Sequence, residues 1–357
     1  MVTMNQQNHS YDYQKERLLW RSLIVLMLVW CLMPMHAQDQ GPLRIVATTT
    51  QALDLVSILT QGMPDGTVEI TGLMGAGVDP HLYKPTECDI NAMYRADLLI
   101  YSGLHLEGQF DEIFQSLGER GVTIVQMTEP VEVGGYVDFL PQDDPNIAPV
   151  HDPHYWFDPR NWALTTQYLS DQLAARDPAH ADVYQANATA YKAQLDLLYA
   201  WAFEAMQSTP IEQRYLVTSH DAFQYFGGAF GWEMVSVQGI NTTQEAGVGD
   251  IQSVVDFVVD HDIPVMFVES SVPPNTINAV REAVQAQGSQ VTTGVRGLYS
   301  DAMGSAGTYG GTYIGMMAEN VYTILQSYEK AGVPVSIPPY PADLQPQPPA
   351  ELLEEES

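Results

Sequence analysis

The chain has 357 residues, a length that predicts about two domains, each large enough to bury a core. Its hydrophobic fraction of 45% excludes a wholly disordered chain. Acidic residues outnumber basic residues by 44 to 14, which gives a net charge of −30. Because such a charge repels phosphate backbones, nucleic-acid binding is a poor hypothesis from the start. The two cysteines, Cys31 and Cys88, are too few for a disulfide framework or a cysteine-rich zinc site.

The first 37 residues predict an export signal rather than folded structure. Basic residues precede an apolar run over residues 23–33, and a small-residue cleavage site follows that ends at Ala37. The run is shorter than the roughly 20 residues that a membrane span needs, so an uncleaved anchor is the lesser alternative. A lipoprotein acylated at Cys31 is also less favoured, because Trp30 is too large for the position before an acylated cysteine. We therefore predict that the mature protein works outside the cytoplasm.

Beyond the signal, short apolar strands alternate with helical segments, which predicts βαβ units and a largely parallel sheet. The predicted strands are residues 43–48, 68–73, 96–101, 122–127, 215–218, 265–268 and 291–295. The predicted helices include residues 108–117, 250–259, 275–286 and 312–326. Prolines, glycines and acidic residues interrupt the alternation at residues 128–153, where we predict a long loop.

One helical segment without glycine or proline runs from about residue 179 to residue 206 and would span about 40 Å. Because a helix of that length outgrows one small domain, we predict two α/β lobes joined by a long helix. The predicted organisation is a signal peptide at 1–37, an N-terminal lobe at 38–178, the linking helix at 179–208, a C-terminal lobe at 209–331 and a disordered, acidic, proline-rich tail at 332–357.

Two histidines follow the same Asp-Pro dipeptide in different parts of the chain. His81 comes after the second predicted strand, and His154 closes the predicted long loop. Proline stiffens the turn before each histidine, and turns past the ends of parallel strands are where open α/β sheets bind ligands. A lone histidine in a turn more often caps it or meets solvent, but a repeated phrase favours function. His151, three residues before His154, remains an alternative to it.

Two further candidates lie in the second lobe. His220 directly follows a predicted strand, and we expect Ser219 to cap the helix after it. Asp301 lies in a loop after a later strand, where an aspartate by itself is more often a cap or turn residue. Three imidazoles and a carboxylate suit a divalent transition metal, such as zinc and, less well, manganese or iron. Because His81 and His154 come from the first lobe, we predict a metal site in the cleft between the lobes.

From residue 43 to residue 326 the chain resembles the periplasmic metal-binding proteins of ABC importers for zinc and manganese, the cluster A-I or TroA-like solute-binding family. Six phrases carry the resemblance in the expected order: VDPHLYKPT at 78–86, RADL with SGLHLE at 95–107, DPHYWFDP at 152–159, TSHDAFQYF at 218–226, FVES at 267–270 and LYSDAMG at 298–304. The resemblance implies four metal ligands, His81, His154, His220 and Asp301. It also implies two α/β lobes around the site and delivery of the ion to an ABC permease, which a separate ATPase drives.

Features of the sequence point to different metals. Ligand softness and the Irving–Williams order favour Zn²⁺ over Mn²⁺ at three imidazoles and one carboxylate. Many zinc-specific members of the family carry a histidine-rich loop, whereas residues 128–150 here are acidic and contain no histidine. Many manganese-specific members place glutamate where this chain has His220. We expect tighter binding of zinc, with manganese as a plausible cargo, by a protein that works as a monomer.

A metal-dependent hydrolase built on the same His/Asp cluster is the alternative function. Such an enzyme needs an open coordination position for water and usually a general base. Glu269 could be that base or could hydrogen-bond to a ligand histidine, and the sequence leaves both open. A triad of Ser219, His220 and Asp221 is discounted, because adjacent residues cannot aim three side chains at one point. Adhesion to host surfaces, attributed to some members of the family, has nothing for or against it in the sequence.

Overall fold

The computed structural model describes residues 41–135 and 151–353. The predicted signal peptide, most of the predicted long loop and the last four residues lie outside this part. Within the described residues no helix combines the length and the apolar character that crossing a membrane requires. The described residues from Pro42 onward belong to one compact unit. The residue boundaries of the two lobes stay predictions.

The N-terminal half contains a parallel sheet with the strand order β2-β1-β3-β4. Its strands are β1 (Leu43–Ala47), β2 (Val68–Gly72), β3 (Leu98–Tyr101) and β4 (Thr123–Gln126). In β1 the last three residues are all buried, as are the first three of β3. Unbroken apolar runs of this kind are typical of parallel strands that are covered on both faces. The predicted parallel sheet is therefore confirmed.

Helices of this half connect the strands and cover the sheet. They are α1 (Thr50–Leu59), α2 (Glu87–Arg95), α3 (Asp111–Glu119) and α4 (Glu129–Gly134). Thr49 caps the start of α1, because its side chain accepts a hydrogen bond from the Ala52 N–H. Helix α4 corrects the predicted loop, because Pro130 lies in the first turn of a helix, where its missing N–H leaves no hydrogen bond unmade.

Two long helices pack against each other in the middle of the chain, α5 (Pro159–Arg176) and α6 (Ala181–Gln207). Helix α6 has 27 residues and confirms the prediction of one long helix. It buries Tyr184, Ala188 and Tyr191 along one face, the three-to-four-residue spacing that an amphipathic helix needs. Helix α5, which has 18 residues, was not predicted from the sequence.

The C-terminal half contains two parallel pairs of strands. The pairs are β5 (Tyr215–Thr218) with β6 (Glu233–Ser236), and β7 (Val265–Met266) with β8 (Thr292–Thr293). The Phe267 N–H donates to the Val217 carbonyl at 2.9 Å and so joins one pair to the other. The helices of this half are α7 (Gln224–Phe230), α8 (Val248–Asp260), α9 (Asn275–Ala286) and α10 (Tyr313–Lys330).

The predicted disordered tail is wrong for residues 332–353, which are packed against the rest of the protein. Leu344 is fully buried, and the Gln345 N–H donates to the Gln194 side chain of α6 at 2.8 Å. A short helix, α11 (Ala350–Leu353), ends the described chain. The prolines and acidic residues of this segment predict disorder, but a few buried apolar side chains are enough to hold it against the protein.

Candidate metal centre

The structure brings together the four side chains that the sequence singled out. His81 lies in the turn after β2, His220 follows β5 by two residues, and Asp301 lies in the loop after β8. His154 precedes the short 3-10 turn that leads into α5. Three of the four therefore come after the carboxyl ends of parallel strands, the edge at which open α/β sheets bind ligands.

The candidate ligand atoms of these side chains converge on one point. The Nε2 atoms of His81 and His154 are 3.4 Å apart, and Asp301 Oδ1 lies 3.2 Å from Nε2 of both His154 and His220. All four candidate ligand atoms lie within 4.8 Å of one another. A tetrahedral ion with ligands at 2.0–2.1 Å would hold them about 3.3 Å apart. The cluster therefore fits one small divalent ion, and none of its residues is more than 3% exposed.

The repeated Asp-Pro-His phrase forms the same turn twice. Asp79 Oδ1 accepts the His81 N–H at 2.8 Å, and Asp152 Oδ1 accepts the His154 N–H at the same distance. Such side-chain bonds to the backbone two residues on are a common use of aspartate in turns. They hold the turns that direct both rings into the cluster. His154 is one of the grouped side chains, and His151 is not.

Carboxylates fix the orientation of two of the rings. His154 Nδ1 lies 2.7 Å from Asp152 Oδ1, and His220 Nδ1 lies 2.5 Å from Glu269 Oε2. A proton on Nδ1 in these bonds leaves the Nε2 lone pair free to face the centre. Glu269 thus serves as the partner of a cluster histidine, one of the two roles that the sequence left open. The role of Asp152 was not predicted, and its only signal was the shared phrase.

Two serines near the cluster and two histidines outside it have different surroundings. The Ser271 hydroxyl donates to Asp301 Oδ2 at 3.2 Å. Ser219 does not cap α7, which begins five residues later, because the intervening residues form a turn that carries His220. His105 is exposed, and His261 ends α8 with its ring stacked on Phe257. Neither belongs to the cluster.

The electrostatics of the site favour positive charge. Burial lowers the pKa of His81 to about 3, so its ring is neutral. Burial also opposes charge on His154, but the carboxylates of Asp152 and Asp301 outweigh it and raise the pKa to about 9. Burial opposes ionisation of Asp301, yet His220 and His154 hold its pKa well below the usual range. A divalent cation satisfies the same negative field and can be held by three imidazole nitrogens and one carboxylate.

Comparison with known proteins identifies a family. Residues 45–327 match the family described as zinc-uptake complex component A, periplasmic. The zinc-binding protein TroA of Treponema pallidum is 40% identical over 290 residues, which cover 81% of this chain and 89% of that protein. The manganese-binding lipoprotein MntA of Bacillus subtilis is 38% identical over 285 residues, covering 80% of this chain and 89% of that one. The solved structure of the periplasmic zinc-binding protein TroA from Treponema pallidum matches with a TM-score of 0.74 at 38% identity, over 80% of this chain and 99% of that one.

The matched range contains the long helix, all four residues of the buried cluster and both sets of parallel strands, apart from the first two residues of β1. Proteins of this family bind a solute for transport and are not enzymes, which removes the hydrolase alternative. The chain therefore belongs to the family of zinc-uptake complex component A, and it is an extracytoplasmic metal-binding protein that serves an ABC importer.

Proposed function

We propose that His81, His154, His220 and Asp301 together bind one divalent transition-metal ion, which the protein hands to the permease of an ABC importer. A separate ATPase drives that permease. The observation that carries the proposal is the convergence of three Nε2 atoms and Asp301 Oδ1 in one buried cluster. Imidazoles and a carboxylate replace the water around the ion, and no chemical step follows.

Zinc is the metal that we propose binds more tightly, with manganese as an alternative cargo. Three imidazole nitrogens are borderline-soft donors, and the Irving–Williams order places Zn²⁺ above Mn²⁺ at such a site. The names of the relatives do not decide the question, because TroA is named for zinc and MntA for manganese. The donor set of this chain is therefore the basis of the choice.

We also propose that the protein is a soluble periplasmic monomer once the segment at 1–37 has been removed. All four proposed ligands come from a single chain, so the site is complete without a second copy. A lipoprotein anchored at Cys31 is the less favoured alternative, although MntA of Bacillus subtilis is named as a lipoprotein. The mass of the mature protein, measured after export, distinguishes cleavage after Ala37 from acylation.

Alanine variants of the four residues test the ligand set. Each of His81→Ala, His154→Ala, His220→Ala and Asp301→Ala should lower the zinc affinity by more than about 100-fold, because even the loss of a ligand's hydrogen-bond partner costs 10–100-fold. The measurement is competition with a chromophoric zinc chelator. His105→Ala and His261→Ala are matched controls that should bind like the wild type. Full affinity in the His220→Ala protein would overturn the assignment.

The metal preference has its own experiment. Metal-free protein is mixed with equal free concentrations of Zn²⁺ and Mn²⁺, desalted and analysed for metal content. Predominant retention of zinc, in a ratio of one ion per chain, is the expected result. Predominant retention of manganese would overturn the zinc preference but leave the four-residue site intact, and it would indicate a higher coordination number.

A further inference from the structure

The aspartates of the two Asp-Pro-His turns differ in their second hydrogen-bond partner. Asp152 Oδ1, which accepts the His154 N–H, also lies against the Nδ1 atom of that ring. Asp79 instead uses its second oxygen, Oδ2, to accept a hydrogen bond from the Thr242 hydroxyl at 2.6 Å. Within the described chain, Nδ1 of His81 has no hydrogen-bond partner. His81 is therefore held through its turn, and no described side chain orients its ring at Nδ1 as Asp152 does for His154.

The bond from Thr242 joins two distant parts of the chain. Thr242 lies in the loop after β6, in the C-terminal half, and only 8% of its surface is exposed. The His81 turn comes close to that half a second time at Gly77, where a Cβ atom, if one were present, would lie 3.4 Å from the Ser270 carbonyl oxygen. The turn thus rests on two C-terminal loops while it presents His81 to the cluster.

The four cluster residues differ in how their side chains are held. An ion among four side chains that are no more than 3% exposed cannot exchange with solvent until one of them moves. His154 and His220 are each held on Nδ1 by a buried carboxylate, and Asp301 is held by Ser271. The residue next to His81, Leu82, is 51% exposed, so the His81 turn reaches the protein surface.

We propose that the hydrogen bond from Thr242 to Asp79 is a latch that keeps the His81 turn closed and sets the rate of ion release. The inference rests on the proposed function, because it takes His81 as a ligand. Asp79 is hydrogen-bonded to the His81 N–H, so when the latch opens and Asp79 moves, His81 moves with it. The ion then loses one of its four ligands. Thr242 does not touch the cluster itself and is a positioning residue.

Three threonine variants test the latch through release kinetics. Thr242→Val removes the hydroxyl and preserves the shape of the side chain, Thr242→Ser keeps the hydroxyl, and Thr243→Val is a matched control at an exposed neighbour. Zinc-loaded protein is mixed in a stopped-flow instrument with an excess of a chromophoric chelator. Loss of one hydrogen bond to a carboxylate should speed release about tenfold in Thr242→Val, whereas the other two variants keep the wild-type rate.

Hydrogen exchange of the metal-free protein separates a latch from a general loss of stability. In Thr242→Val, exchange should accelerate in residues 77–83 and stay unchanged in residues 151–157, which form the equivalent turn without a latch. Uniformly faster exchange, or release at the wild-type rate, would overturn the inference. Thr242→Ala also lacks the hydroxyl and gives the same two tests if valine is not accommodated.

Stoichiometry distinguishes failure of the latch from failure of the proposed function. Wild-type protein that holds one zinc ion, together with wild-type release from Thr242→Val, overturns the latch alone. Wild-type protein that holds no zinc overturns the proposed function and the latch with it.

Discussion

Replacing Glu269 by glutamine should weaken metal binding, although the two side chains have nearly the same shape. Glu269 accepts two hydrogen bonds from His220, one from the backbone N–H at 2.8 Å and one from Nδ1 at 2.5 Å. Glutamine has one oxygen and one NH₂ group, so it can accept only one of them. If its NH₂ faces the backbone N–H, two donors oppose each other. If it faces Nδ1, the ring proton moves to Nε2, where the ion must bind.

The size of the effect follows from burial. His220 is fully buried and Glu269 is 6% exposed, so water cannot easily replace the lost acceptor. Loss of the partner of a metal-binding histidine typically costs 10–100-fold in affinity, or about 1.4–2.7 kcal/mol. We expect Glu269→Gln to fall in the upper part of that range. Glu245→Gln is the matched control, since it removes the same negative charge from an exposed loop.

Competition against a chromophoric chelator at pH 7.5 measures the zinc affinity of wild type and both variants. Far-ultraviolet circular dichroism checks that Glu269→Gln is folded. The reasoning would be refuted by a folded Glu269→Gln protein whose zinc affinity lies within about threefold of the wild-type value, a change too small for a lost orienting bond. An equal loss in Glu245→Gln would also refute it, because the effect would then come from overall charge.

Three further predictions concern stability and pH. Burial raises the pKa of Asp54 to about 6, so its ionisation costs stability as the pH rises from about 4 through about 6. Asp54→Asn keeps an acceptor for the Tyr313 N–H. It should raise the free energy of unfolding by about 2 kcal/mol at pH 8 and by almost nothing at pH 4. Chemical denaturation at both pH values checks this. Leu344→Ala should lower the free energy of unfolding, measured in urea titrations, by about 2–5 kcal/mol. Leu353→Ala, at an exposed site, is the control and should change it by less than about 0.5 kcal/mol. Equal effects would mean that Leu344 does not hold the C-terminal segment. Zinc affinity should be lower at pH 5 than at pH 7.5, because imidazoles bind metal only when unprotonated, and equal titration curves at the two values would exclude histidine ligation.

Strands and the long helix could be predicted from the sequence because their patterns are local. The apolar runs of β1, β3 and β5 lie in buried parallel sheets, and each predicted strand is within two residues of the observed one. Helix α5 escaped prediction because polar residues occupy its buried face. Thr165, Thr166 and Ser170 are all fully buried there, which weakens the apolar periodicity. The C-terminal segment was wrongly predicted to be disordered, because its composition is polar although a few of its leucines are buried.

The sequence by itself determined which residue types stand at the carboxyl ends of strands, and the repeated phrase picked out His81 and His154. The repeated phrase can be recognised in the sequence because each proline-stiffened turn and its histidine are adjacent along the chain. Only the tertiary structure decided that the Nε2 atoms face one another and that Glu269 orients His220. It also decided that Thr242 holds Asp79. Partners such as Thr242 and Asp79 are 163 residues apart, and a hydrogen bond depends on tenths of an ångström that only the packing of the two halves sets.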